Sequence, residues 1–171
     1  MIKVLISGCS GKMGHVVAQE LAARSDATVS AGVDLHPCAC DFPVFSSPAE
    51  VNVPVDVVID FSSPAALSAL LSYAKNEKKP LVLCTTGYND KQIDALKAVS
   101  KEVPIFYSRN MSLGINLMIE LCKKAAQVLG TAFDVEVVEM HHNQKVDAPS
   151  GTALMIADAI SDARGTEMHY T

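Results

Sequence analysis

The sequence opens with MIKVLISGCSGKMG at residues 1–14, which joins a short apolar run to three regularly spaced glycines. The run Ile2–Ser7 has the composition of a buried strand, and Gly8, Gly11 and Gly14 follow it three residues apart. In the dinucleotide-binding fingerprint the first glycine permits the turn, the second lets the backbone approach a pyrophosphate, and the third lets helix and strand pack closely. The motif therefore predicts a strand, a phosphate-binding turn and a helix whose N-terminal N–H groups face the phosphates.

Further short apolar runs alternate with helical patterns up to Tyr107. The predicted strands are Ile2–Ser7, Thr28–Val33, Val55–Asp60, Leu81–Cys84 and Val103–Tyr107. The predicted helices between them are Lys12–Arg24, Pro64–Lys75 and Asp90–Ser100. The proline-containing stretch 36–53 is expected to be a surface connection with one helical turn at Pro48–Val51. Short apolar strands separated by helices predict a parallel sheet of the Rossmann type.

The pattern changes after Tyr107, and the sequence predicts a domain boundary near Asn110. Beyond it we expect a long helix over Leu113–Leu129, a strand over Phe133–His142 and a helix over Ser150–Ala163. The expected fold class is α/β, with a Rossmann-type parallel-sheet domain over residues 1–109 and a smaller α+β domain over residues 110–171.

Composition narrows the classes of function. The 171 residues include 14 Lys and Arg against 19 Asp and Glu, a net charge of −5, and only 5% of them are aromatic. Such a chain is poorly suited to binding nucleic acid or an anionic membrane surface. Its apolar runs are far shorter than the roughly 20 residues of a membrane helix, and residues 1–5 lack the pattern of a signal peptide. We therefore expect a cytoplasmic protein with free thiols.

Asp34 ends the second predicted strand, 20 residues beyond Gly14. A carboxylate at this position binds the ribose hydroxyls of NAD and disfavours the 2′-phosphate of NADP. NADH is therefore the expected cofactor, while Lys12, a cation within the glycine loop, leaves the use of NADPH open. The alternative interpretation is a glycine-rich turn that binds no ligand.

Two loops that follow predicted strands, Asp60–Pro64 and Cys84–Gly87, are rich in small hydroxyl residues. Because ligands of parallel sheets bind where strands end, these loops could present backbone groups to a nicotinamide. Ordinary turn and helix-capping chemistry explains them equally well. The cluster His36, Cys38, Cys40 and Asp41 matches zinc-ligand spacing poorly, so no metal site is expected.

The densest polar segment is EMHHNQKVDAPSGTA at residues 139–153. Ser150 is a candidate N-cap, so the N–H groups of Gly151 and Thr152 would form an anion site at a helix start. The cations and proton donors of the segment are His141, His142 and Lys145. Together these groups predict a pocket for an anionic, carboxylate-bearing substrate that must be protonated. A solvated strand end is the alternative, since adjacent residues face opposite sides of a regular strand.

Over the whole chain, these motifs resemble the dihydrodipicolinate reductase family of the diaminopimelate route to lysine. The residues that carry the resemblance are Gly8–Gly14, Asp60–Pro64, Cys84–Gly87, Asn110–Asn116 and, most specifically, the His-His-x-x-Lys-x-Asp-Ala-Pro-Ser-Gly-Thr-Ala pattern within Glu139–Ala153. The resemblance implies an NAD(P)H-dependent oxidoreductase that reduces a cyclic imine dicarboxylate and assembles as a homotetramer. Lys12 stands where the family more often has arginine, and Met111 where an aromatic residue is common. Family chains continue well past residue 163, so the substrate-binding and oligomerisation domain is expected to be truncated at its C-terminal end.

The resemblance also implies roles for individual residues. His141 would be the catalytic proton donor or acceptor, and Lys145 a catalytic proton donor. The substrate carboxylates would be bound by His142, Gly151 and Thr152. The dinucleotide would be bound by Gly8, Cys9, Ser10, Gly11, Lys12, Met13 and Asp34, and its nicotinamide end by Cys84, Thr85, Thr86, Ser108, Arg109, Asn110 and Met111.

Two other interpretations stay open. A related small dehydrogenase that acts on a different amino-acid precursor would share the two-domain architecture. A non-catalytic nucleotide-binding module would bind NADH without turning over a substrate. Nothing in the sequence favours a purely structural or interaction protein.

Overall fold

The computed structural model of the chain describes residues 1–36, 39–145, 148–166 and 169. These residues form two compact units, Met1–Ser108 and Arg109–Thr171. The division between the units lies beside the position at which the sequence predicts a domain boundary.

The first unit contains a six-stranded parallel sheet in the order β3-β2-β1-β4-β5-β6. Its strands are β1 (Ile2–Ser7), β2 (Ala27–Val33), β3 (Val44–Phe45), β4 (Val57–Asp60), β5 (Leu81–Leu83) and β6 (Ile105–Tyr107). Its helices are α1 (Lys12–Ala22), α2 (Leu67–Glu77) and α3 (Asp90–Val99), with 3₁₀ turns at Pro48–Glu50 and Pro64–Ala66. The chain order reverses between β1 and β4, which is the switch point where sheets of this type bind ligands. The predicted Rossmann-type sheet is confirmed.

Both faces of this sheet are buried because alternate residues of the central strand point to opposite sides. Leu5 belongs to the larger apolar cluster, together with Leu70 of α2 and Leu96 of α3. Its neighbour Ile6 belongs to the cluster on the other face, together with Leu21 of α1. The helices therefore cover the sheet from both sides and leave its carboxyl edge, where β1 and β4 end, for the glycine loop.

The second unit contains two long helices, α4 (Leu113–Leu129) and α5 (Gly151–Arg164), with a 3₁₀ turn at Gly130–Ala132. The two helices pack against each other, and the buried residues on them are Ile119, Ala126, Ala157 and Ile160. Within the described ranges of the chain, no helix is long and apolar enough to cross a membrane.

Two local predictions were wrong. The stretch 36–53 contains the short strand β3, which pairs with Gly32 and Val33. The strand predicted over Phe133–His142 is an irregular segment, although Val135 and Val137 are half-buried and their neighbours are exposed, as in a strand. Backbone N–H and C=O groups form a strand only when another strand pairs with them. The described part of the second unit offers no such strand, so this unit has no sheet there.

Candidate active site

The glycine loop after β1 is built so closely that side chains would not fit at two of its positions. Gly8 has a φ of +80°, and a Cβ atom on it would lie 2.7 Å from the carbonyl oxygen of Phe61. A Cβ atom on Gly14 would lie 2.2 Å from the carbonyl oxygen of Gly8. The loop thus needs glycine both for the turn and for the approach of α1, as the fingerprint requires. The N-terminus of α1 consequently begins directly beside the end of β1.

Asp34 is hydrogen-bonded to the glycine loop across the edge of the sheet. Its Oδ2 atom accepts a hydrogen bond of 3.1 Å from the Ser10 backbone N–H, and its Oδ1 atom accepts one of 3.0 Å from His36. Partial burial raises the pKa of the carboxyl group, but these hydrogen bonds outweigh it and leave the pKa below its ordinary value. Asp34 is therefore an anion at neutral pH, held beside the loop.

A cavity of about 530 Å³ lies over this edge of the first unit. Its lining includes Gly8, Ser10 and Gly11 of the loop, Asp34, and the small apolar residues Ala65 and Ala69. A helix N-terminus, a carboxylate and an apolar wall suit the phosphates, the ribose and the adenine of a dinucleotide respectively.

Three residues of the predicted cofactor site differ in what they expose. Lys12 and Met13 occupy the first turn of α1 with exposed side chains. Cys9 is buried, and its side chain packs against Gly32 within the apolar cluster on the α1 face. Its backbone is thus the part of Cys9 that is placed for contact with a ligand.

The loops after β4 and β5 meet at a buried carboxylate, Asp60, which sequence reasoning did not single out. Asp60 accepts hydrogen bonds from the hydroxyl groups of Ser62, Thr85 and Tyr88. Burial, together with the charge of Asp60, raises the pKa of the Cys84 thiol to about 11. Cys84 is therefore a neutral thiol at neutral pH.

The other predicted nicotinamide-end residues are divided between the two units. Thr86 is exposed in the loop after β5, and the Ser108 backbone N–H donates a hydrogen bond of 3.3 Å to the carbonyl of Leu83. In the second unit, Arg109 forms an ion pair of 3.1 Å with Asp158. The side-chain amide of Asn110 donates a hydrogen bond of 2.8 Å to the Thr152 hydroxyl. Met111 is exposed.

The start of α5 is capped twice. The Ser150 hydroxyl accepts a hydrogen bond of 3.1 Å from the Ala153 N–H, as predicted for an N-cap. The Ser150 N–H in turn donates a hydrogen bond of 2.7 Å to Oε1 of Glu139. Gly151 and Thr152 form the first turn, in which backbone N–H groups have no acceptor within the helix. These N–H groups are positioned to bind a carboxylate.

Glu139 is the functional residue that sequence reasoning missed in this unit, because its two contacts depend on how the segment folds back. The Oε2 atom of Glu139 lies 3.5 Å from Nδ1 of His141, so the carboxylate orients the imidazole and leaves its Nε2 atom to face outward. The Nδ1 atom of His142 accepts a hydrogen bond of 3.2 Å from the Gln144 N–H, so neutral His142 carries its proton on Nε2. The Lys145 N–H donates to the carbonyl of His142, which closes the turn that joins the three residues.

Comparison with known proteins identifies the family. The family model described as "Dihydrodipicolinate reductase, N-terminus" matches residues 2–111, and the one described as "Dihydrodipicolinate reductase, C-terminus" matches residues 114–170. The chain is 50% identical over 170 residues to the 4-hydroxy-tetrahydrodipicolinate reductase of Caldanaerobacter subterraneus subsp. tengcongensis, covering 99% of this chain and 67% of the relative. It is 48% identical over 169 residues to the enzyme of that name from Clostridium perfringens strain SM101, covering 98% and 66% of the two chains. The chain thus spans about two thirds of the length of these relatives.

Solved structures agree with this assignment. The dipicolinate-bound dihydrodipicolinate reductase from Paenisporosarcina sp. TG-14 superimposes with a TM-score of 0.77 at 28% sequence identity, covering 100% of this chain and 69% of the other. Apo scyllo-inositol dehydrogenase from Lactobacillus casei shares the fold at 19% identity, with a TM-score of 0.56 over 75% of this chain and 40% of that one. The resemblance predicted from the sequence is confirmed, and the chain belongs to the dihydrodipicolinate reductase family.

Proposed function

We propose that this protein reduces 4-hydroxy-tetrahydrodipicolinate, a cyclic imine dicarboxylate, to tetrahydrodipicolinate with release of water. The observation that carries the proposal is the arrangement of the second unit, where Glu139 contacts both His141 and the N-terminus of α5. A proton donor and a carboxylate-binding helix start are thereby fixed by one side chain. The dipicolinate bound to the relative from Paenisporosarcina has the carboxylates that such a helix start would hold.

The residues divide the chemistry between them. When bound, the nicotinamide dinucleotide supplies the hydride, and a proton must then neutralise the negative charge that hydride addition leaves on the conjugated imine. His141 would deliver this proton from Nε2, and Lys145 would act as a further proton donor. His142 and the N–H groups of Gly151 and Thr152 would hold the substrate carboxylates.

The first unit is suited to holding the dinucleotide. The cavity beside Gly8 and Ser10 is of the size of a cofactor site, and its chemistry follows the molecule from phosphate to ribose to adenine. A side chain at Gly14 would force α1 away from this cavity. The family implies a nicotinamide cofactor, and the Asp34 carboxylate supports NADH as the preferred form, with Lys12 as the cation available to a 2′-phosphate.

Replacing Asp34 by asparagine is expected to shift the ratio of the NADPH and NADH dissociation constants about tenfold towards NADPH. The change removes a negative charge that would repel the 2′-phosphate and weakens the acceptor for the ribose hydroxyls. Both constants can be measured by titration of dinucleotide fluorescence. Asp94→Asn, an exposed substitution of the same kind on α3, is the matched control. An unchanged ratio in Asp34→Asn would remove Asp34 from cofactor selection.

Two further properties belong to this proposal. We expect the protein to assemble as a homotetramer, and the exposed Leu113, Leu117 and Leu121 of α4 are apolar surface that an assembly would cover. Light scattering measures this state directly. Cys84 and Cys122 are free thiols, which is typical of a reducing compartment and supports a cytoplasmic location.

The activity is tested by following the absorbance of NADH with the purified protein and substrate generated enzymatically in the same cuvette. Oxidation of NADH that depends on the cyclic imine supports the proposal. A non-catalytic nucleotide-binding module would bind NADH in a calorimeter without oxidising it. A dehydrogenase for another amino-acid precursor would leave this substrate unreduced, which would also rule the proposal out.

A further inference from the structure

Asp60 is a buried carboxylate to which the proposed chemistry gives no role. It is the last residue of β4, and it is 0% exposed. We propose that Asp60 is a positioning residue, which ties the loop after β4 to the loop after β5 so that together they receive the nicotinamide half of the dinucleotide. This inference rests on the proposed function, because it assumes that a dinucleotide crosses this edge of the sheet.

Four hydrogen bonds converge on the two carboxylate oxygens. On the β4 side, Oδ1 accepts a bond of 3.2 Å from the Ser62 N–H and one of 2.5 Å from the Ser62 hydroxyl. On the β5 side, Oδ2 accepts a bond of 2.7 Å from the Thr85 hydroxyl and one of 3.3 Å from the Tyr88 hydroxyl. Each oxygen therefore serves one loop, and the carboxyl group joins the two.

The backbone of the same residue strengthens this connection. The Asp60 carbonyl accepts a hydrogen bond of 2.9 Å from the Cys84 N–H, at the point where the second loop begins. Farther along both loops, the side-chain amide of Gln92 donates a hydrogen bond of 2.7 Å to the carbonyl of Pro64. The two loops are thus tied at their starts by Asp60 and at their ends by Gln92.

A charged group is a costly way to fill a core position. Burial of a carboxylate is tolerated only when hydrogen bonds replace its hydration, and apolar residues of similar volume usually stabilise a core at least as well. An ionised carboxylate can only accept hydrogen bonds, so the Thr85, Ser62 and Tyr88 hydroxyl hydrogens are all directed inward. This fixes the orientation of the loops and leaves their backbone groups facing the crevice at the ends of β4 and β5, where sheets of this type bind their ligands.

The side of the sheet on which Asp60 lies indicates which part of the ligand it affects. The ribose-binding candidate, Asp34, follows β2 on one side of β1, whereas β4 and β5 lie on the other side. A dinucleotide whose pyrophosphate sits at the glycine loop and whose adenosine half lies over β2 places its nicotinamide half over β4 and β5. Loss of the Asp60 connection should therefore weaken contacts to the nicotinamide half and spare those to the ADP-ribose half.

The test compares NADH with ADP-ribose, which lacks the nicotinamide ring, on the full chain. Thr85→Val removes the hydroxyl donor at nearly constant volume, and Thr85→Ser restores it. Thr28→Val, the same substitution on β2, is the matched control. We expect Thr85→Val to raise the dissociation constant for NADH about tenfold, and that for ADP-ribose by less than about twofold, while Thr85→Ser and Thr28→Val bind both like the wild type.

The alternatives give different patterns. Equal weakening of NADH and ADP-ribose by Thr85→Val would mean a purely structural role and would overturn the inference, as would unchanged NADH binding. If Thr85→Val does not fold, Tyr88→Phe removes another donor to the same oxygen while keeping the ring, and the same selective loss is required of it. Wild-type protein that binds neither ligand would instead overturn the proposed function, and the inference with it.

Discussion

Replacing His141 by alanine should lower kcat about 100-fold while the dissociation constant for NADH stays within about twofold of the wild-type value. The proton that His141 delivers is needed only when charge develops on the substrate, so its loss affects turnover rather than cofactor binding. The position of Glu139, 3.5 Å from Nδ1 of His141, leaves the other ring nitrogen for this transfer. Steady-state kinetics with saturating NADH, together with fluorescence titration, measures both quantities.

Lys145→Ala is expected to have a kcat effect of similar size, because the lysine is the second proton donor of the segment. His142→Ala should instead act mainly on KM, since His142 is expected to bind a substrate carboxylate throughout the reaction. Lys97→Ala on α3 in the other unit is the control for loss of a surface cation. Near-normal turnover of both His141→Ala and Lys145→Ala would remove the proposed roles of this segment.

Gly14→Ala is expected to lower the free energy of unfolding by about 3 kcal/mol. The added Cβ atom would lie 2.2 Å from the Gly8 carbonyl oxygen and 2.7 Å from the Cys9 Cα atom. Both contacts are with backbone, so they cannot be relieved by rotating a side chain, and α1 must move away from β1. We also expect this variant to bind NADH at least about tenfold more weakly, because the phosphate-binding turn moves with the helix.

Gly11→Ala is the matched control for this substitution. It adds the same methyl group three residues earlier, where the contact is 3.3 Å from the Gly8 carbonyl oxygen and the φ of −75° suits alanine. Denaturant unfolding of the two variants and the wild type gives the difference in stability. If Gly14→Ala is no less stable than Gly11→Ala, close packing of α1 on β1 is not what requires glycine at position 14.

The fold of the first unit could be predicted because its signals are local. An apolar run, a glycine turn and a helix at residues 2–24 define the first strand and its connection, and the later alternation of strands and helices implies a parallel sheet. Strand β3 escaped prediction because it has two residues and follows Pro43, so it exists only through its pairing with β2. The strand expected over Phe133–His142 shows the opposite case, in which a period-two pattern lacks a strand to pair with.

The candidate site divides in the same way. Residues that are neighbours in sequence, such as Ser150 and the first turn of α5, could be assigned from their order alone. Asp60 and Thr85 are 25 positions apart, and they meet because β4 and β5 are adjacent in the sheet. Glu139 reaches Ser150 because an irregular segment folds back on α5. Hydrogen bonds of this kind depend on tertiary packing, which residue spacing does not encode.

The position of Glu139 also makes the acid tolerance of the second unit depend on one carboxyl group. Hydrogen bonding to Ser150, followed by the charges of His141 and Lys145, lowers the pKa of Glu139 below the ordinary value for glutamate. Because the folded-state pKa is depressed, its stabilising effect is complete above the ordinary pKa and is lost as the pH falls through the lowered one. Protonation then weakens the cap on α5 and releases the imidazole in a single event. In acid, inactivation and fraying of this helix would therefore share one titration curve.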